Sequence, residues 1–483
     1  MSEMEGSTSL HRSIDWRQGF LIAIGIPLAI IPLIGFTVSF LWAASIVLWG
    51  LSVVQGFLQN IAFGELATAF PKVSGIPGFA QEIFKSQNPK EGKVDSGRLV
   101  GGFCAWAYWL VWAPGLAVFI VLIGVYLQGI SPYLATIDPL ALNLVLGVLI
   151  LGGLAIVSSR GLKHSARLGL VLAFLTIIPI AIITVAPFFT GDFHAENITS
   201  SLVPADWTWN ADSVMLILGL IVMAQWSACC WEVVAIYGPE YKNPGADVGK
   251  ALLISWGFCL VMFVLIQASV VGTLGVEGVL AAPLSPLQPV AEIAFGSIGA
   301  TLVILMLIGA MILLIQIGYS AAARSMHAMA LEGNLPKWFA RTNPRGEPMR
   351  AILVIAIFNM LLLFMGNPVA ILAASAIGYV FAFAIGLFAY VKAHRDPRFR
   401  SLARPFKAPR GWVWVALALG LMQIPLLLVG AVYINNLAYG WLPTIVGLGV
   451  LAAFFPLWIY SQYENRRQET KSRAASEAEA GGK

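Results

Sequence analysis

Two carboxylates stand inside long apolar stretches of the chain: Glu65 in FGELATAFP and Glu232 in CCWEVVAIYG. An ionisable group at that depth is costly, and such groups tend to mark pathways. A buried carboxylate can carry a proton or pair with the ammonium of a passing solute. It can equally bond the free backbone donors of a helix end. Glu65 lies near the end of its stretch, where a structural role suffices; Glu232 keeps both readings open. Upstream of Glu232 run Gln225, Trp226, Ser227, Ala228, Cys229, Cys230 and Trp231, small, polar and aromatic residues where lipid would favour leucine. The other polar residues in apolar stretches are neutral: Gln55, Gln59, Asn60, Gln267 and Gln316, suited to bonds between helices.

Other chemistries lack their residues. The four cysteines (Cys104, Cys229, Cys230 and Cys259) all lie in apolar stretches and read as small buried hydrophobes. The five histidines are scattered, and no cluster has metal-ligand spacing, so no resident metal and no cofactor are expected. No clustered nucleophiles or paired carboxylates suggest an enzyme. A continuous polar path, as a channel needs, is not evident either.

The elements that position these residues follow from hydropathy. The 483 residues are 59% hydrophobic and 11% charged, with mean hydropathy +0.82. A soluble domain is about a quarter charged, so a soluble nucleic-acid binder is excluded. Runs of roughly 20 apolar residues, enough for a helix across a ~30 Å hydrocarbon core, recur along the chain. We count twelve spans: 19–40, 42–70, 99–128, 140–157, 168–189, 212–238, 250–275, 297–325, 351–365, 368–391, 412–433 and 440–461. The acidic residues of the first segment, and its lack of an apolar core before a small-residue site, argue against a cleaved secretory signal. The polar tail from 462 to 483 is expected to be without order.

Charge gives the orientation. All 29 lysines and arginines fall in the two termini and the even-numbered loops. The opposite loops carry Asp138, Asp192, Glu196, Asp206, Asp212, Glu277 and Glu292 instead. Because cytoplasmic loops retain Lys and Arg, both ends are expected in the cytoplasm of a multi-pass protein of the cell membrane. The net charge of +5 reflects this sorting.

Span 1 holds an interruption. GIPLAIIPLIGF, 25–36, has glycines at 25 and 35 and prolines at 27 and 32. Ten residues of helix from Gly19, at 1.5 Å each, reach about the midplane at residue 29. Unsatisfied backbone at that depth requires protein or a cavity as partner. Span 6 has its polar cluster at the corresponding place. Paired interruptions are the sequence sign of an inverted repeat with a site between its halves. A proline kink in one helix is the plainer alternative.

Four segments carry a resemblance: FGELATAFPKVSGIPGFAQEIF (63–84), CCWEVVAIYGPEYKNPGADVGKAL (229–252), ARSMHAMALEGNLPKWFARTNPRGEPMRA (323–351) and RPFKAP (404–409). In this order and spacing they resemble the amino acid–polyamine–organocation superfamily over roughly 17–461. The resemblance implies an all-α polytopic fold of twelve transmembrane helices, with a five-plus-five inverted repeat and discontinuous helices 1 and 6. It divides the chain into a cytoplasmic segment (1–16), repeats at 17–190 and 212–391, two further spans (412–461) and the tail. It implies secondary active transport of amino acids or related amines by alternating access, as permease, symporter or antiporter. The substrate site would be built from Ile31, Pro32, Leu33, Ile34 and Gly35 with Trp226, Ser227, Ala228, Cys229, Cys230 and Trp231; Glu232 would serve coupling or gating. Departures are visible. IIPLIG replaces the usual glycine–serine–glycine break, and proline offers a carboxylate no N–H. Where many relatives carry a lysine in span 5, this chain has Thr176; with Ser320 it offers oxygens to Na+, leaving H+ and Na+ both open as the coupling ion. The expected partners are thus a small solute, that ion and the bilayer.

Overall fold

The computed structural model describes residues 14–23, 30–71, 75–86, 95–159, 165–200, 202–227, 233–236 and 240–481. Within these, it describes the backbone alone at 21–23, 165–177, 233, 236, 469 and 471–481. Helices make up nearly all of it. The first half holds α1 (Trp16–Ala23), α2 (Ile31–Leu41), α3 (Ser45–Ala69), α4 (Gly75–Ile83), α5 (Ser96–Trp112), α6 (Gly115–Ile130), α7 (Pro132–Ala135), α8 (Pro139–Ser159) and α9 (Ser165–Thr190). Then follow α10 (Glu196–Thr199), α11 (Ala211–Ala224), α12 (Val233–Ile236), α13 (Pro244–Ala281), α14 (Leu287–Leu331), α15 (Met349–Leu363), α16 (Pro368–Arg395), α17 (Trp412–Leu427), α18 (Asn435–Tyr439) and α19 (Leu442–Gly481).

Among the described residues, eight helical stretches are long and apolar enough to cross a bilayer, with shorter apolar helices at Ile178–Thr190, Ala211–Ser227 and Met349–Leu363. Ile31–Ala69 is one such stretch but turns inside it. Trp42 takes a left-handed φ of 49°, and beyond it α3 folds back so that Trp49 Nε1 donates to Thr37 Oγ1 at 3.2 Å. Glycine stands at two places where hydropathy puts a span boundary. Gly275 (φ 66°) breaks the helical backbone within α13 and Gly296 (φ 67°) within α14. Both take a backbone conformation that glycine adopts without steric cost. Pro114 divides α5 from α6, and Asn359 Oδ1 of α15 accepts the Ala117 N–H in the first turn of α6 at 3.0 Å. The free donor at that helix start is thereby satisfied.

Burial separates a centre from a periphery. In Ser96–Ile130 and in Pro368–Arg395, 78% of the most apolar window is buried; in Pro139–Ser159 it is 22%. α8 instead exposes Val145, Val148, Leu149 and Ile156. A helix that leaves apolar side chains outside is suited to lipid. With its polytopic hydropathy, this is a multi-pass membrane protein. The tail differs from expectation: helical backbone continues past the membrane exit to Gly481. Ala, Glu, Lys and Arg are strong helix formers, so the polar composition that argued against a core does not argue against a helix.

Candidate functional site

The expected span-1 residues lie in α2. Ile31, Pro32, Leu33, Ile34 and Gly35 are all buried. Pro32 stands in the first turn of α2, where its missing N–H costs nothing. It starts this helix rather than kinking one; Gly25 and Pro27 lie outside the described residues. A Cβ on Gly35 would come within 2.2 Å of the Pro283 carbonyl oxygen, so glycine is required for α2 to approach the 283 backbone. The Ile34 carbonyl accepts from Thr37 Oγ1 at 3.0 Å, and Gln267 of α13 reaches Ser45 Oγ at 2.7 Å across the α2–α3 turn.

On the span-6 side, α11 ends at Ala224 and Gln225–Ser227 form a single 3-10 turn. Ser52 Oγ of α3 donates to the Ala224 carbonyl at 2.6 Å, and Ser227 Oγ lies 3.1 Å from Ser52 Oγ. Trp226 is buried and meets Trp112 edge to face, centroids 6.3 Å apart. Ala228, Cys229, Cys230, Trp231 and Glu232 lie outside the described residues. At the far side, residue 14 pairs with residue 241: Ile14 N–H donates to the Glu240 carbonyl at 3.2 Å and Lys242 N–H to the Ile14 carbonyl at 2.9 Å. The start of span 1 is thus tied to the exit of span 6, with Tyr241 packed over Gly19.

Around this junction runs a polar face. Ser52, Gln55 and Gln59 recur at three- and four-residue intervals and share one side of α3. Tyr379 OH of α16 donates to Gln59 Oε1 at 3.1 Å, and Gln225 Nε2 lies 3.4 Å from Gln423 Oε1 of α17. All are buried, yet Gln55 Nε2, Gln59 Nε2, Gln225 Oε1, Gln423 Nε2 and Trp226 Nε1 have no partner among the described residues. Unpaired polar atoms in a protein interior call for a ligand, water or functional explanation. The sequence marked Gln55, Gln59 and Gln225 singly; Tyr379 and Gln423 it missed, since only helix register shows which amides converge.

Thr176 and Ser320 sit on α9 and α14, two helices that pack against one another; the Thr176 side chain is outside the description. Among the described residues no group of three His, Cys, Asp or Glu could hold a metal. Cys104 and Cys259 are buried free thiols.

At the end rich in lysine and arginine the arrangement is different. Glu65 is 3% exposed and has four polar neighbours. Its Oε1 accepts from Arg404 Nη1 at 2.7 Å and lies 3.0 Å from His394 Nε2; its Oε2 accepts from Tyr390 OH at 3.0 Å and from the Ala408 N–H at 2.9 Å. The signature segments 63–84 and 404–409 are therefore two halves of one contact, and the structural reading of Glu65 has a physical basis. Nearby, Arg398 donates to Asp396 and holds its carboxyl below the usual carboxylate range. A cavity of about 480 Å³ opens at this same end between α4, α5 and α14, its polar wall formed by Gln81, Glu82, Tyr108, Ser325 and Glu332.

The family model described as "Amino acid permease" matches residues 14–454. The chain belongs to the amino acid permease family. Similar proteins include an amino-acid permease of Bacillus subtilis, 24% identical over 71% of this chain and 71% of its own length. An arginine/ornithine antiporter of Lactococcus lactis subsp. cremoris is 23% identical over 66% of this chain and 62% of its own length. A serine/threonine exchanger of Bacillus subtilis is 20% identical over 53% of this chain. The chain thus spans 62% of the antiporter and 52% of the exchanger. The described α2, the 225–227 turn and the Glu65 contact all lie within the matched region of this permease family.

Proposed function

We propose that the chain is a secondary active transporter of amino acids or related small organic amines across the cell membrane. Twelve spans, with both termini in the cytoplasm, would form two inverted five-span repeats, and the substrate would bind where spans 1 and 6 are interrupted. The observation that carries this is the buried polar face where the 225–227 turn, just past the end of α11, meets Ser52 of α3. There the buried amides of Gln55, Gln59 and Gln225 with Trp226 Nε1 stand without partners among the described residues.

The chemistry follows. A substrate carboxylate is favoured at the N-terminus of α2, where helix dipole and free N–H groups meet it; Pro32 removes one donor from that set. Trp226, with Trp231, would cover the solute. Glu232 would pair with the substrate amine or carry the coupling proton. If Na+ is the coupling ion, Thr176 and Ser320 would supply oxygens between α9 and α14. Alternating access would move α2, α3, α11 and α13 against α5, α14 and α16. Exchange has support of its own, since two of the similar proteins are named an antiporter and an exchanger.

The test is uptake of radiolabelled amino acids and amines into proteoliposomes under imposed pH or Na+ gradients, with and without internal substrate. Saturable accumulation above equilibrium supports the reading, and stimulation by internal substrate supports exchange. Non-saturable flux that only equilibrates would contradict it. Glu232→Gln is expected to reduce transport more than membrane abundance; equal losses would assign Glu232 to the fold alone.

A further inference from the structure

The imidazole of His394 sits between an acid and a base whose demands on it conflict. His394 closes α16, and its Nδ1 lies 3.2 Å from the Tyr390 carbonyl, one turn back on the same helix. A carbonyl accepts only, so Nδ1 carries a hydrogen. In the neutral ring Nε2 is then an acceptor. Nε2 has two neighbours: Arg404 Nη1, a donor in direct contact with it, and Glu65 Oε1 at 3.0 Å, an acceptor. Neutral imidazole satisfies Arg404 and leaves a lone pair facing the Glu65 carboxylate. Imidazolium satisfies Glu65 with an N–H and leaves two donors facing each other. One proton therefore decides which partner the ring serves, and neither state satisfies both.

We propose that His394, Glu65 and Arg404 form a proton-binding site on the lysine- and arginine-rich end of the molecule, and that its occupancy sets transport rate from that side. The ring is half-buried, its side chain 24% exposed, so a proton has access; Glu65 beneath it is 4% exposed and Arg404 15%. The groups that face the imidazole are Glu65 from α3, Arg404 from the segment before α17, and Tyr390 on α16 itself. Further out stand Glu82 of α4 and Lys85 just past its end, where Arg398 and Asp396 form their own pair. When the proton binds Nε2, the new N–H donates to Glu65 Oε1. Arg404 keeps Glu65 Oε1 and the carbonyls of Ala393 and Phe399, at 3.2 and 3.4 Å, and gives up the ring. The positive charge added stays on the imidazolium beside the carboxylate.

The consequence lies in what the contact joins. α3 packs mainly on α13, whereas α16 packs on α5, α17 and α19. The Glu65 contact stitches these groups together at one end. A charge-assisted His394–Glu65 bond is roughly twice as strong as a neutral one, so protonation tightens the stitch. The effect on rate rests on the alternating-access reading above; the proton site does not.

The two parts are tested apart. In lipid nanodiscs, ¹⁵N-histidine NMR of the full chain, with the His394 signals assigned from His394→Gln, should show Nε2 passing from acceptor to N–H as the pH is lowered. Glu65→Gln should leave less of the N–H form at the same pH. A ring that stays in one form throughout overturns the site. In proteoliposomes with external pH held fixed, substrate counterflow in the wild type should slow as the pH on the His394 side falls. That dependence should vanish in His394→Gln and persist in His327→Gln, a second half-buried histidine whose Nδ1 lies 3.3 Å from the Phe339 carbonyl. A pH profile unchanged in His394→Gln, with NMR titration intact, would overturn control of rate while sparing the site. Absence of all counterflow would fault the transport reading instead.

Discussion

α3 passes through two polar regions that treat their groups in opposite ways. Near the middle of its length Ser52, Gln55 and Gln59 face the 225–227 turn, and the amide nitrogens of both glutamines go without partners among the described residues. Two turns on, Glu65 accepts from Arg404, Tyr390 and the Ala408 N–H, with His394 Nε2 3.0 Å from the same oxygen as Arg404. A buried charge persists only when paired, so the second region reads as a fastening. Neutral amides tolerate incomplete bonding at lower cost, as the proposed binding of a solute there requires. The lesson is that polarity within a membrane helix does not by itself mark a site; the proposed one rests on unfilled valence.

The comparison breaks first at Glu65. Glu65→Ala leaves the partly buried Arg404 without its carboxylate, and breaking a fully buried pair this way costs about 3–5 kcal/mol, the upper bound here. Folded yield and thermal midpoint in detergent should fall sharply; near-wild-type stability would show that the fastening is dispensable. Next is Gly35→Val, which pushes a side chain against the Pro283 backbone. Overpacking of about 1–3 kcal/mol is expected, read as a lowered midpoint. Tyr379→Phe sharpens the contrast from the other side. It removes the donor to Gln59 at a cost of about 1 kcal/mol, and substrate KM should change more than the thermal midpoint. A midpoint shift as large as that of Glu65→Ala would make the amide face structural too. The smallest effect belongs to Asp396. Its carboxyl is held low by Arg398, so its contribution is present above the ordinary carboxylate range and fades as pH falls through the lowered value. Asp396→Asn should therefore differ slightly from wild type at neutral pH and not at all in strong acid.

Much of this was legible in the residues. Hydropathy announced a helical multi-pass chain, and the expected boundaries near 275 and 297 coincide with left-handed glycines. The segments holding Glu65 and Arg404 were both marked, but a contact across 339 residues is a property of packing, which no local pattern encodes. Pro32 was read as part of a break, yet proline is equally at home in a first helical turn, and sequence does not distinguish the two. The tail composition spoke to burial and was taken to speak to helicity. Gln423 and Tyr379 escaped notice because a single polar residue in an apolar span acquires meaning only from what register sets opposite it.

The central claim, that a solute binds where spans 1 and 6 are interrupted, is tested most directly by substrate protection of cysteine. With Cys104 and Cys259 replaced by alanine, alkylation reports only Cys229 and Cys230. The amino acid that the protein accumulates should slow that alkylation, with half-protection at the concentration that half-saturates uptake. Labelling that proceeds at one rate whatever transported amino acid is present would contradict the account.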